Sequence, residues 1–161
     1  MIIEPFDESR CDPHAIVREE DVQLILDVDS RFTPPCEELP ELEARALRAT
    51  SHPPGSVVVR PGRPLVLLAI IHDLDREPSC CDEWIRSATL AALDAAHWRG
   101  LTRIAMPLLG TVHGGLDARR ATELLAETLA RAGESRPGML WLESDEPVLL
   151  AWLRERTDER L

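Results

Sequence analysis

The chain has 161 residues, of which 44% are hydrophobic and 29% charged, a composition typical of one globular domain with a substantial core. Its formal net charge of −11 argues against partners such as nucleic acid or an anionic membrane. Neither a signal peptide nor an apolar stretch of membrane-spanning length is visible, so we expect a cytoplasmic protein. The four cysteines show no metal-binding spacing, and we expect neither a metal nor a cofactor.

The N-terminal third carries weaker patterns than the rest of the chain. Within residues 1–17, the segments IIEPF and HAIVR are candidates for edge strands. Residues 22–29, VQLILDVD, predict a strand, and Leu39 to Ala49 is a helix candidate. Ser56 to Arg60 predicts a further short strand between proline-containing connections.

The C-terminal two-thirds alternates strand and helix. Residues 65–72, LVLLAIIH, are apolar on both faces, as in a covered strand. Helices are predicted from a capping-box-like start at Ser79 and Asp82 to about Trp98, and from Asp117 to Ala132. Strands are predicted at 103–109 and 139–143, and a last helix near 145. This order predicts an α/β fold with helices on both faces of a sheet.

The loop between the strand at 103–109 and the following helix is the most informative segment. It is rich in glycine, and its residues are Gly110, Thr111, Val112, His113, Gly114 and Gly115. Glycines let backbone N–H groups approach a phosphate, and a helix start adds partial positive charge. The loop therefore predicts an anion-binding site. A tight βα turn whose glycines serve geometry only is an equal alternative at this point.

Three segments, in this order, resemble the macro domain family, whose members typically bind ADP-ribose. They are IIH at 70–72, IAMPLLGTVHGGL at 104–116 and MLWLESDEPVLLAWL at 139–153. The resemblance implies a three-layer α/β/α sandwich with a mixed, mostly parallel central sheet, as a single domain over residues 1–161. It is best over 65–155, whereas residues 1–60 diverge. It also implies that residues 110–115 wrap the distal phosphate and ribose of the ligand.

The front of the chain departs from this family. Macro domains carry the motif N-A-A-N after an early strand, then a glycine-rich first loop that grips the pyrophosphate. VQLILDVDS aligns best with that strand, which places Asp27 and Asp29 within the asparagine motif. Residues 32–36, FTPPC, replace the glycine-rich loop. Prolines cannot donate hydrogen bonds, and the two carboxylates would repel a diphosphate, so the donors of the first loop are absent.

Two further positions bear on the ligand. Val112 stands where the family usually has a third glycine, and a β-branched residue is strained at positive φ. The loop therefore takes another path or is no longer suited to phosphate. Asp12 is the counterpart that we find for the acidic residue that recognises adenine, with an ordinary surface aspartate as the alternative.

Three functional hypotheses follow. The leading one is binding of ADP-ribose or a related phosphate-bearing nucleotide through residues 110–115 and Asp12. A degenerate macro fold that has exchanged nucleotide binding for a protein partner, or for self-association into a homo-oligomer, is the alternative. The third is a hydrolase of ADP-ribose derivatives or phosphoesters, in which Asp27 or Asp29 assists His113.

Overall fold

A computed structural model describes residues 1–26, 51–144 and 146–158. In chain order the elements are β1 (Ile2–Pro5), β2 (Ala15–Asp21), β3 (Val57–Arg60), β4 (Leu65–His72), α1 (Asp82–His97), β5 (Arg103–Pro107), α2 (Ala118–Arg131), a 3-10 turn (Gly133–Ser135), β6 (Met139–Glu143) and α3 (Pro147–Asp158). None of the helices in these ranges is long and apolar enough to cross a membrane.

The six strands form one sheet in the order β1-β6-β5-β2-β4-β3. Only β3 runs antiparallel to its neighbour, β4, and every other pair is parallel. The predicted α/β fold with a mixed, mostly parallel sheet is confirmed. Because β2 lies between β4 and β5, the carboxyl ends of these three strands share one edge of the sheet.

The main core lies between the sheet and the three described helices. Alternate residues of the strands, such as Val17, Leu67 and Ile104, pack there against the helices. On the opposite face of the sheet, Leu68 and Ile70 form a smaller cluster with Val22. The helix predicted from Leu39 to Ala49 lies outside the described residues.

The structure corrects the prediction for the N-terminal third. The HAIVR segment is not an edge strand, because it belongs to β2 at the centre of the sheet. The strand predicted at 22–29 is wrong over Val22 to Leu26, which form turns, while Asp27 to Asp29 lie outside the described residues. Leu24 adopts a left-handed φ of 58°, which a strand through Val22 to Leu26 could not include.

The helix starts confirm one prediction and correct another. The Asp117 side chain accepts hydrogen bonds from the amides of Arg119 (3.0 Å) and Arg120 (3.2 Å) and caps α2, as expected. The capping box predicted at Ser79 is wrong, because α1 begins three residues later and its N-cap, Cys81, makes no side-chain hydrogen bond.

Two buried carboxyl groups hold the turn after β2. Glu20 Oε1 accepts from the amides of Asp21 (3.0 Å) and Leu26 (2.7 Å). Asp21 accepts from the amides of Gln23, Ile25 and Leu26 at 2.5–3.0 Å. Burial raises the pKa of Glu20 to about 7, and the charge of Asp21 adds to this while the amide bonds oppose it. Between about pH 4.5 and pH 7, the folded chain therefore holds a proton on Glu20 that the unfolded chain has released.

This raised pKa makes stability depend on pH. Between the unfolded pKa near 4.5 and the folded pKa of about 7, the folded state binds more protons, so the free energy of unfolding falls as pH rises. The expected contribution is about 3 kcal/mol. Chemical denaturation from about pH 5 to pH 8 measures it. Glu20→Gln should remove this part of the decline, whereas the exposed Glu134→Gln should leave it unchanged. Parallel curves for the wild type and Glu20→Gln would contradict the assignment.

Candidate functional site

The glycine-rich loop lies at the carboxyl edge of the sheet, beside the ends of two other strands. It follows β5, whereas Glu19 lies near the end of β2 and His72 is the last residue of β4. Since β2 separates β4 from β5, Glu19 stands between His72 and the loop. The sheet topology thus places a carboxylate directly under the predicted anion-binding loop.

The Glu19 carboxylate takes up the hydrogen bonds of this loop. Its Oε1 accepts from the amides of Gly110 (2.6 Å) and Val112 (3.3 Å), and its Oε2 from the amide of His113 (3.2 Å). The Nε2 of His72 lies 3.1 Å from Oε2. The Glu19 side chain is only 2% exposed and that of His72 only 1%. A buried carboxylate needs such donors, and here the loop and one imidazole supply them.

Of the other three amides of the loop, one is also engaged. Thr111 donates to the carbonyl of Leu108, and Leu116 to that of Gly110. Of the six loop residues, only Gly114 and Gly115 have amides that donate to no residue in the described part of the chain. Three amides of the loop thus donate to a carboxyl group of the same protein.

Backbone geometry and close packing require glycine at two positions of the loop. A Cβ on Gly110 would lie 2.8 Å from Ile85 Cδ1, and Gly110 has a φ of +91°. A Cβ on Gly114 would lie 2.7 Å from the Gly110 carbonyl oxygen and 3.2 Å from His72 Cε1. Val112 does not have a positive φ and is 59% exposed, so the loop follows a path that a β-branched residue tolerates.

The side chains of His113 and Cys80 near Glu19 form neither a reactive thiolate nor a metal site within the described residues. The ring of His113 is exposed and lies edge-on to that of His72, with 6.1 Å between the centroids. Burial, followed by the charge of Glu19, raises the pKa of the Cys80 thiol to about 12, so this thiol stays protonated at neutral pH. Within the described residues, no group of three or more His, Cys, Asp and Glu could hold a metal ion.

The structure separates the site residues expected from the sequence. Residues 110–115 form one loop, as expected. Asp12 precedes β2 at the opposite edge of the sheet, where it pairs with Arg103 at 2.8 Å, and it lines one cleft together with Val112 of the loop. Asp27 and Asp29 lie outside the described residues. The sequence analysis did not single out Glu19, and it did not predict the contact between Glu19 and His72. The one available signal was a run of acids directly after the apolar residues of HAIVREED.

The close approach at Gly114 predicts a difference between two neighbouring glycines. In Gly114→Asn the new Cβ overlaps backbone, and we expect a loss of roughly 1–3 kcal/mol in the free energy of unfolding. Gly115 has a φ of +62°, no atom lies within 4 Å of the place a Cβ would take, and asparagine tolerates this φ. Gly115→Asn should therefore stay within about 0.5 kcal/mol of the wild type. Chemical denaturation of both variants checks this, and equal stabilities would refute it.

Comparisons with known proteins agree on the fold. The structure is similar to the Oceanobacillus iheyensis macrodomain with MES bound, at a TM-score of 0.69 and 16% identity, covering 99% of this chain and 92% of that one. It is similar to the same macrodomain with ADP, at a TM-score of 0.66 and 15% identity over 98% of this chain and 89% of that one. The macrodomain of Thermus aquaticus DarG gives a TM-score of 0.60 and 17% identity over 89% and 97%.

Sequence comparison identifies the family independently. No curated protein matches the chain. The family model of the macro domain matches residues 26–125, which is more than half of the sequence. This match agrees with the sheet order, the glycine-rich loop and the similar structures, and the chain therefore belongs to the macro domain family.

Proposed function

We propose that this macro domain is a protein-interaction module, in which Glu19 occupies the amides of the 110–115 loop that a phosphate would need. One observation carries the proposal: the amides of Gly110, Val112 and His113, which a phosphate would need, all donate to a buried carboxylate. This favours the degenerate macro fold over the nucleotide-binding hypothesis that the sequence alone placed first.

The energetics support this choice. Hydrogen bonds to a charged group contribute about 1.5–3 kcal/mol each. A phosphate that loses only two of them forfeits roughly 3–6 kcal/mol, and each 1.4 kcal/mol is tenfold in the dissociation constant. Displacing Glu19 instead would leave a carboxylate, now 2% exposed, without its donors in the protein interior. Either route weakens a nucleotide complex by at least a hundredfold.

Binding of ADP-ribose or a related nucleotide is the second candidate. It is favoured by the similar macrodomain solved with ADP and by the amides of Gly114 and Gly115, which donate to no described residue. It would place a phosphate against these two amides only, with Asp12 at the far edge of the sheet. The hydrolase hypothesis for Asp27, Asp29 and His113, the cytoplasmic location and the homo-oligomer stay predictions.

Isothermal titration calorimetry with ADP-ribose and with inorganic phosphate tests the proposal. The wild type should give no heat of binding up to roughly millimolar ligand. Glu19→Ala frees three amides, and we expect it to gain at least tenfold in affinity for inorganic phosphate. Glu19→Gln is the matched control, because its amide oxygen still accepts from the loop, and it should bind as poorly as the wild type.

Circular dichroism and melting temperatures establish that each variant is folded. If Glu19→Ala does not fold without ligand, its recovery by added phosphate serves as the readout of the gained site. Micromolar binding of ADP-ribose by the wild type would overturn the proposal and establish the nucleotide candidate instead.

A further inference from the structure

The two outermost strands of the sheet, β1 and β3, differ in how their free sides are covered. At β1, the Ile3 carbonyl accepts from Arg154 Nε at 2.7 Å, and Pro5 has no amide to donate. Such covering is usual, because an open strand edge pairs readily with another chain. Strand β3 has three consecutive valines and no covering of this kind among the described residues.

The backbone of β3 leaves four hydrogen-bonding groups on its free side. The Ile70 amide donates to the Ser56 carbonyl at 2.9 Å, just before β3. Because an antiparallel ladder alternates, the even-numbered residues of β3 bond to β4, and the amides and carbonyls of Val57 and Val59 point away from it. No described residue bonds to these four groups. They can therefore pair with a further strand.

Helix α1 runs alongside this strand and packs against it. It connects β4 to β5 and so runs opposite to β4, in the same direction as β3. A Cβ on Gly55 would lie 2.9 Å from Ser87 Cβ and 3.8 Å from Trp84 Cα, which places the start of α1 beside the start of β3. Trp84, Ala91 and Trp98 recur every seven residues and therefore follow one side of the helix.

This side of α1 is apolar and accessible. Trp98 is 82% exposed, and within the described residues its ring meets only the edge of the His97 ring, at 5.6 Å between centroids. Trp84 is half-buried beneath the guanidinium of Arg76. Between the two tryptophans lie small residues, the exposed Ser87 and the half-buried Ala91. Small residues at the centre of a helix face allow another helix to approach closely.

The β3 surface, consisting of β3 with Trp84, Ser87, Ala91 and Trp98, is complementary to itself. Ala91 lies midway between the tryptophans, so two antiparallel α1 helices that meet at Ala91 place Trp84 of each copy at the level of Trp98 of the other. In the same arrangement two β3 strands pair antiparallel, and Val57 of each copy exchanges both backbone bonds with Val59 of the other. One twofold axis relates both contacts.

The charges of α1 favour the same antiparallel arrangement. Its first turn is acidic, with Asp82 and Glu83, whereas its last turn carries His97, and Arg99 follows. Glu83 and Arg99 are both exposed and equally far from Ala91, so each meets the other across the twofold axis. Neither forms an ion pair with a described residue, since the Arg99 guanidinium donates to the carbonyl of Ala95. A parallel arrangement would bring like charges together.

We propose that a second copy of this chain binds the β3 surface, which joins two sheets into one continuous sheet and packs the two α1 helices against each other. The unpaired strand, the exposed tryptophan and the matching charges are then accounted for by one partner. The inference names a partner for the interaction module proposed above and rests on that proposed function.

Sedimentation equilibrium measures the association. We expect the wild type to form a dimer, at twice the 18.0 kDa of one chain, with a dissociation constant on the order of 10 μM or below. Trp98→Glu should weaken the dimer roughly a hundredfold, because it removes an aromatic contact and adds a charge at both ends of the helix pair. The high exposure of Trp98 makes this variant compatible with the monomer fold.

Val148→Glu is the matched control. Val148 is 77% exposed in α3, which packs against β1 and α2 rather than against β3. The substitution also replaces a large apolar side chain by a carboxylate, and it should leave the dissociation constant unchanged.

Hydrogen exchange followed by NMR shows which surface is used. At about 200 μM protein, the amides of Val57 and Val59 should exchange about fivefold more slowly in the wild type and in Val148→Glu than in Trp98→Glu. This readout reports strand pairing directly, which a dimer formed through another surface would not protect.

Three results would overturn the inference: a monomeric wild type at about 200 μM, equal weakening by the two variants, or a dimer in which the amides of Val57 and Val59 are unprotected. The outcome is separable from that of the Glu19 experiment. A monomer that binds no ADP-ribose would refute the dimer and leave the role of Glu19 standing. A dimer that binds ADP-ribose would refute the proposed function and leave the β3 surface standing.

Discussion

The need of one buried carboxylate for hydrogen-bond donors organises the carboxyl edge of this sheet. An ionised side chain that is 2% exposed is tolerated only where polar groups surround it. Glu19 meets this need with three loop amides and His72, and it thereby ties β2 to the end of β4 and to the segment after β5. The contacts that satisfy Glu19 therefore also fix the backbone of the glycine-rich loop.

The two residues that follow Glu19 are also buried acids that accept hydrogen bonds from backbone amides. The carboxyl groups of Glu20 and Asp21 also meet backbone amides, in this case those of the turn to Leu26. Successive strand residues point to opposite faces, so Glu19 serves the loop while Glu20 serves the turn. Three consecutive acids thus end the central strand against backbone amides and one imidazole. Backbone amides take the place of counterions here. They do not fully offset the burial of Glu20, and its pKa is therefore raised.

Much of the fold could be predicted from the sequence, but little of the site. The covered strand at 65–72 and the cap at Asp117 carry local signals, namely a continuous apolar run and a short polar side chain before a periodic helix. The sequence does not predict the full extent of β2, because three of its seven residues are acidic and acidic residues are rarely buried. The burial of Glu19 depends on amides more than 90 residues away in the chain, such as that of Gly110, and no local pattern reports such partners.

The loop shows that the glycines of a family motif can be required by backbone geometry and packing. Gly110 has a left-handed φ and lies against Ile85, and Gly114 lies against the Gly110 carbonyl, so backbone geometry and packing account for both glycines. A glycine pattern is equally suited to binding phosphate and to forming a tight turn. In this protein the glycines permit a turn whose amides donate to Glu19. The chemical identity of the anion is set instead by residue 19, one strand away, where a carboxylate already satisfies the donors.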